Sequence, residues 1–376
     1  MYKAFKFRMY PTIEQEKIIN MNLDNKRFIY NYYLDKAKNS NQVNTKQNIY
    51  DYNKKLKLSN QFLQTLDMNI VYKALYSIEE TYKKINNLET MKFKSKYNRN
   101  SYTVLFNKNI NNPNIILDLK RRTITLPNLE NVKIKGYKKL KEIKGRIINA
   151  TISKEPTVNY YVSVSYEIQN VNAITNPKNI VGIDLGIKEL LTLSDGTTID
   201  NIHAQEKFEK RIKRKQKELS RKIKGSKNYY KCKKELAILY NKLTNLRKSY
   251  IHKITKDITN EYDIITCEKL KTEEMIIKGK NSNLSSKLID TTFAEILRQL
   301  SYKAKFKGKR FYQINSYYPS SQVCSRCDNQ DKTYKDLSKR EYICKKCGQV
   351  LDRDLNASIN IMNEGLKLYL KDLCVS

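Results

Sequence analysis

Ile180-Val181-Gly182-Ile183-Asp184-Leu185-Gly186 reads as an apolar strand that ends on an acid. A second strand, Glu189-Leu190-Leu191-Thr192-Leu193, comes next and turns at Asp195-Gly196. Further along, Asp263-Ile264-Ile265-Thr266-Cys267-Glu268 repeats the first pattern, apolar and again closing on an acid. Residues 204–223 and 228–260 between them predict two helices punctuated by Gly225. The second helix carries Cys232, Leu236, Leu239, Leu243, Leu246 and Tyr250 in alternating steps of four and three, the spacing of a coiled-coil-like seam. A helix near 287–306 and a strand Phe311-Tyr312-Gln313-Ile314 come next.

Toward the N-terminus, apolar Phe5, Phe7 and Met9 alternate with Lys6 and Arg8, which predicts a strand that stops at Pro11. Thr12, Glu14 and Glu16 open a helix with Ile18, Ile19, Met21, Phe28, Ile29 and Tyr32 as its apolar positions. Polar, Asn- and Lys-rich helical segments run to about residue 95. Ile115-Ile116-Leu117, Thr123-Ile124-Thr125-Leu126, Val132-Lys133-Ile134 and Tyr161-Val162-Ser163-Val164-Ser165-Tyr166 then read as strands. The expectation is one β-domain interrupted by a helical one, with Pro177-Lys178-Asn179 as the linker to the next domain.

The chain has 376 residues, room for two or three domains at about 150 residues each. Its 73 Lys+Arg against 38 Asp+Glu leave a net charge of +35. Codon bias toward Lys, Asn, Ile and Tyr would raise the Lys count without creating that imbalance, because Asp and Glu codons remain available. A polyanionic partner is implied, and nucleic acid fits best. Residues 206–256 concentrate the charge, with 19 Lys+Arg against four Glu, a density suited to contact with a phosphate backbone. Only two histidines, His203 and His252, are present, which leaves His-based triads and His-metal sites without material. No Gly-rich phosphate loop, no apolar run of membrane-spanning length and no signal-peptide block is found. The expected location is the cytoplasm, in association with the nucleoid.

Two constellations carry chemistry. Cys324-Ser325-Arg326-Cys327 and Cys344-Lys345-Lys346-Cys347 are separated by 16 residues, the spacing of two knuckles that complete a four-thiolate zinc site. Four sulfurs leave no open coordination position, so this zinc is structural. Cys232, Cys267 and Cys374 stand apart as ordinary thiols. The second constellation is acidic: Asp184, Glu268 and the pair Asp352/Asp354. Convergent carboxylates on hard divalent cations are what metal-dependent phosphodiester hydrolysis needs. Leu355, Ile359, Met362, Leu366, Leu370 and Leu373 have helical spacing, so a helix is expected from about Leu355, with Asp354 as N-cap and Asp352 in the approach loop. On that argument Asp354 is the third acid.

These residues resemble a known family. Gly182-Ile183-Asp184-Leu185-Gly186 resembles the first motif of a RuvC-type, RNase H-fold nuclease, and Glu268-Lys269-Leu270 resembles its second. Tyr318-Pro319-Ser320-Ser321-Gln322-Val323-Cys324-Ser325-Arg326-Cys327, the second Cys pair and Asp352-Arg353-Asp354-Leu355-Asn356-Ala357-Ser358-Ile359-Asn360-Ile361 resemble the zinc ribbon and third motif of TnpB. TnpB proteins are insertion-sequence-encoded relatives of type V CRISPR effectors. The resemblance reaches the N-terminal Tyr2-Lys3-Ala4-Phe5-Lys6-Phe7-Arg8-Met9-Tyr10-Pro11 and covers nearly the whole chain. It departs at Asp328, where glycine is usual after the first knuckle, and at Lys269.

The resemblance implies a multidomain α+β protein. A wedge β-barrel (1–11 and 96–176) would be interrupted by a helical recognition domain (12–95). A RuvC-like RNase H-fold domain (177–318 and 348–376) would come after it, with a zinc-ribbon insert (319–347). The implied activity is that of an RNA-guided DNA endonuclease of a transposable element. It would use a transposon-derived guide RNA and a double-stranded target with a short adjacent motif. Asp184, Glu268 and Asp354 would be its catalytic Mg²⁺ ligands, two ions being expected, and Cys324, Cys327, Cys344 and Cys347 would hold Zn²⁺. Some relatives have lost these acids and act as guided repressors, so a catalytically silent RNA-guided binder is the alternative. A transposase that joins DNA ends is a third reading.

Overall fold

The alternation of Phe5, Phe7 and Met9 with Lys6 and Arg8 is realised in strand β1 (Tyr2–Tyr10), the apolar trio buried and the two cations exposed. The computed structural model describes residues 1–40, 68–95, 100–107, 113–136, 142–270, 292–336 and 338–375, and the chain divides into the units Met1–Gln169 and Asn170–Ser376. Helix α1 (Ile13–Ser40) starts with a reciprocal cap. Thr12 Oγ1 accepts from the Gln15 backbone N–H at 3.3 Å, and Gln15 Oε1 accepts from the Thr12 N–H at 3.0 Å. Farther along α1, Ile29, Tyr30, Tyr33 and Leu34 pack on Val71, Ala74, Leu75 and Ile78 of α2 (Met68–Ile85).

The strands of this unit are β2 (Asn100–Leu105), β3 (Ile116–Asp118), β4 (Thr123–Leu126), β5 (Leu129–Lys135), β6 (Arg146–Lys154) and β7 (Tyr160–Glu167). With β1 they form an antiparallel seven-stranded sheet in the order β2-β6-β7-β1-β5-β4-β3. The first strand is therefore central, paired with β7 from Tyr2 to Met9 and with β5 from Arg8 to Tyr10. The helices are an insertion between two strands of one sheet, whose core holds Phe7, Val104, Ile124, Ile152 and Val162. Strands β2 and β6 were not among the sequence expectations. The register of β6 shifts between Ile147 and Asn149, a bulge that breaks the period-two signal.

In the second unit, β8 (Ile180–Leu185), β9 (Glu189–Leu193), β10 (Thr198–Asp200), β11 (Ile264–Glu268) and β12 (Arg310–Ile314) form a sheet in the order β10-β9-β8-β11-β12. Strands β8, β11 and β12 are parallel; β9 and β10 are antiparallel to their neighbours. Parallel neighbours need long crossovers. Helices α3 (Ala204–Ser220) and α4 (Lys227–Glu261) lie between β10 and β11, and α5 (Phe293–Phe306) lies between β11 and β12. Gly225, at φ +93°, makes the turn between α3 and α4. Lys178 and Asn179 are hydrogen-bonded to Asp263 and Ile264, and the division between units falls at Gln169/Asn170 rather than at Pro177-Lys178-Asn179.

A ribbon comes after β12. It contains a 3₁₀ turn (Lys332–Lys335) and an antiparallel pair, β13 (Glu341–Ile343) with β14 (Val350–Asp352), so its hairpin closes beyond the boundary expected at 347. The last helix, α6 (Arg353–Val375), lies across β8 and β11. Two glycines permit that approach. A Cβ at Gly182 would collide with the Ser358 carbonyl and the Met362 backbone, and one at Gly365 would collide with the Thr266 side chain. Leu288 of the expected 287–306 helix lies outside the described residues. No described helix is long and apolar enough to cross a membrane.

Candidate active site and metal centre

Because β8 and β11 run parallel and Ile183 pairs with Cys267, the acids one position on, Asp184 and Glu268, emerge side by side at the same sheet edge. Helix α6 brings Asp354 to them in its first turn. Asp184 registers the other two carboxylates. The Asp184 carboxyl is pushed up to about 8, first by burial and then by the negative charges of Glu268 and Asp354, against the Leu185 backbone N–H and Arg353. Glu268 is also raised by burial, opposed by a hydrogen bond donated by the Ser320 hydroxyl. Asp354 is ion-paired with Arg353 at 3.1 Å and with Arg340 at 3.3 Å. Asp184 and Glu268 remain partly accessible, so the edge is open to an ion or a substrate.

Asp352, not Asp354, caps helix α6. Helix α6 starts at Arg353, and Asp352 Oδ1 accepts from the backbone N–H groups of Asp354 at 2.8 Å and Leu355 at 3.1 Å, which makes Asp352 the N-cap. The apolar periodicity begins at Leu355, but the cap must precede the first free N–H groups, two residues earlier. Asp354 sits inside the first turn and is the member of the pair whose charge acts on Asp184.

Sequence reasoning assigned no role to Arg340, Ser320, Asn356 or Asn360, all of which hold this edge together. The signal for the last two was available: asparagines four apart on an otherwise apolar helical face. Both are buried. Asn356 Nδ2 donates to Val323 O at 2.7 Å; Asn360 Nδ2 donates to Ser320 O at 2.8 Å and Val323 O at 2.6 Å.

The four ribbon cysteines converge, with their Sγ atoms within 4.8 Å of one another. Cys324 to Cys347 and Cys327 to Cys344 are each 3.6 Å. That is far beyond a disulfide bond, about 2.05 Å. It is close to the sulfur–sulfur edge of about 3.8 Å that a tetrahedron with Zn–S of about 2.3 Å requires. The two knuckles have one design. Asp328 N–H donates to Cys324 O and Gly348 N–H to Cys344 O, while Cys324 N–H reaches Asn329 O and Cys344 N–H reaches Gln349 O. Asp328 and Gly348 share left-handed backbone, φ +56° and +69°, the region that favours glycine. The Cys344 thiol is drawn down to about 6, first by the Cys347 backbone N–H, which favours the thiolate a metal needs. Among the described residues no other group of three or more Cys, His, Asp or Glu closes so tightly around one point. The acids form a looser edge.

Of the 19 cations in residues 206–256, all but Lys215 and Arg247 are exposed. Ala204 and Ile212 of α3 pack on Leu239 and Leu243 of α4, and Cys232 is also buried, so part of the expected seam faces its neighbour. Leu246 is exposed.

Family profiles match three stretches: a "Probable transposase" family over residues 163–278, a Cas12f1-like TNB domain over 293–361 and a helix-turn-helix domain over 1–46. Within 1–46 the described residues form β1 and α1. The "Putative RNA-guided DNA endonuclease InsQ" of Escherichia coli K12 is 26% identical over 385 residues, covering 96% of this chain and 92% of that protein. The "TnpB-like protein L770" of Acanthamoeba polyphaga mimivirus is 26% identical over 250 residues, 62% of this chain and 47% of that one. Taken together, these matches make the chain similar to TnpB proteins. The fold is shared with Cas12f1 as solved by cryo-EM in a Cas12f1–sgRNA–target DNA complex. That match has a TM-score of 0.63 at 15% identity and covers 96% of this chain and 99% of Cas12f1. The TNB match spans the cysteine cluster, Arg340 and Asp354, and the transposase match spans Asp184 and Glu268.

Proposed function

We propose that this protein is an RNA-guided DNA endonuclease that hydrolyses target DNA with a transposon-derived guide RNA bound. One observation carries the reading: the parallel pairing of β8 and β11 sets Asp184 beside Glu268 and the first turn of α6 adds Asp354, in a chain matched almost end to end by InsQ. In this reading the second unit is a RuvC-type, RNase H-like domain, and the ribbon is a structural zinc module. The first unit is the wedge barrel with its helical recognition insert, acting on a double-stranded target beside a short motif. The protein works in the cytoplasm, at the nucleoid.

Asp184, Glu268 and Asp354 would hold Mg²⁺, and their chemistry fits it. Carboxylate oxygens are hard ligands, and this cluster is self-repelling without cations. Two bound ions would supply an activated water and stabilisation of the leaving oxygen. The chain's own contribution is placement. Adjacent parallel strands present Asp184 and Glu268 together, α6 adds Asp354, and Arg353 and Arg340 hold that carboxylate until cations compete for it. The exposed cations of α3 and α4 offer a surface for nucleic-acid phosphates. The test is cleavage of a matched duplex by the protein purified with its own RNA. Asp184→Ala should bind RNA and target as wild type does and leave the duplex intact. Cutting by that variant at the wild-type rate would overturn the site, and no cutting by wild type with verified RNA and target would leave a guided binder.

A further inference from the structure

Ser320 lies where the chain leaves β12 for the ribbon, and it is buried. A buried serine hydroxyl commonly bonds a carbonyl three or four residues back. This one instead reaches 52 positions along the chain and donates to Glu268 Oε1. It is the one hydrogen bond to the Glu268 side chain among the described residues, and Oε2 is left without one.

The donor is itself fixed. Ser320 O accepts from Asn360 Nδ2 at 2.8 Å, and the same amide reaches Val323 O at 2.6 Å. One turn earlier on α6, Asn356 holds Val323 O at 2.7 Å, and its Oδ1 accepts from the Ser325 N–H at 3.0 Å, beside Cys324. Helix α6 also carries Asp354. A single clip therefore ties the first cysteine knuckle, the helix of one acid and the side chain of another.

The chemistry of the donor matters. Arg340 and Arg353 hold Asp354 with positive charge, which competes with a metal. A neutral hydroxyl orients Glu268 without cancelling its charge and leaves one oxygen for a ligand. We propose that Ser320 is a positioning residue: held by Asn360 and Asn356, it sets the Glu268 carboxylate for divalent-metal binding and so couples ribbon geometry to the acid edge. This rests on the part of the proposed function that makes the edge a divalent-metal site.

The test compares wild type, Ser320→Ala and Ser320→Thr, each purified with RNA, with Asp184→Ala as the blank for metal held by nucleic acid. Mn²⁺ affinity is followed by the EPR signal of free ion, and the Mg²⁺ requirement by cleavage of a matched duplex. In Ser320→Ala, Mn²⁺ affinity should fall about 10- to 100-fold, the range for losing a partner that orients a metal ligand. The Mg²⁺ concentration for half-maximal cleavage should rise by a similar factor, with much of the rate recovered at saturating Mg²⁺. Ser320→Thr should stay close to wild type, and zinc should remain at one per chain in both variants. Wild-type Mn²⁺ affinity and Mg²⁺ requirement in Ser320→Ala would overturn the proposal. So would loss of zinc with a lowered melting temperature in both variants, because Ser320 would then be ribbon scaffold. If wild type cuts nothing while Ser320→Ala still weakens Mn²⁺ binding, the nuclease reading fails and the positioning role stands.

Discussion

Replacing Gly182 with alanine puts a methyl group between β8 and α6. The new Cβ would lie 2.8 Å from Met362 Cβ and would also strike the Ser358 carbonyl and the Met362 nitrogen. Carbon atoms normally rest about 3.5–4.0 Å apart. The helix must therefore lift by about 1 Å, because its neighbours here are backbone atoms that have no rotamer to change. Overpacking of this kind costs about 1–3 kcal/mol. For a unit of this size that is a fall in melting temperature of about 3–10 °C. The catalytic effect should be larger, because Asp184 stands two residues beyond Gly182 on β8 and Asp354 rides on α6. A misplacement of about 1 Å in a reacting constellation can cost about 100-fold in rate. Scanning calorimetry and single-turnover cleavage of a matched duplex at saturating Mg²⁺ would measure both, with RNA binding as the control expected to stay unchanged. Wild-type melting and cleavage in Gly182→Ala would refute the seating of α6 on β8 and the dependence of the acid edge on it.

Replacing Cys324 and Cys327 with serine should release close to one zinc per chain by elemental analysis and lower the stability of the second unit; unchanged metal content would sink the zinc assignment. Asp352→Asn keeps the capping oxygen and should retain cleavage and melting temperature, whereas Asp354→Asn should abolish cleavage with little change in melting, and Asp352→Ala should cost about 0.5–2 kcal/mol through the lost cap. RNA binding measured against salt should give a log–log slope that shrinks by about 0.7–0.9 for each phosphate contact removed when exposed Lys207, Lys210 and Lys217 are replaced by glutamine. A flat salt response would contradict a backbone-binding role for α3.

Much of this protein was legible before folding was considered, and the reasons differ by element. The cysteine pairs were readable because a Cys-x-x-Cys knuckle is a local object: four consecutive residues and two backbone hydrogen bonds define each half of the site. Strands β1, β8 and β11 were readable because burial alternates or saturates over a few residues. Strand β6 was hidden by its bulge, and the start of α6 was misplaced because an apolar stripe marks where a helix packs, not where its free N–H groups begin.

The acids, the thiols and the excess of positive charge are matters of residue type and short spacing, legible along the chain. Which of these meet depends on the packing of distant elements. The parallel register of β8 and β11 set Asp184 beside Glu268, the close seat of α6 over Gly182 brought Asp354 rather than Asp352 to them, and Asn360 turned Ser320 toward Glu268. These partners are far apart along the chain. No local preference encodes their meeting, which arises from how a sheet edge, a helix and a ribbon bury their surfaces together.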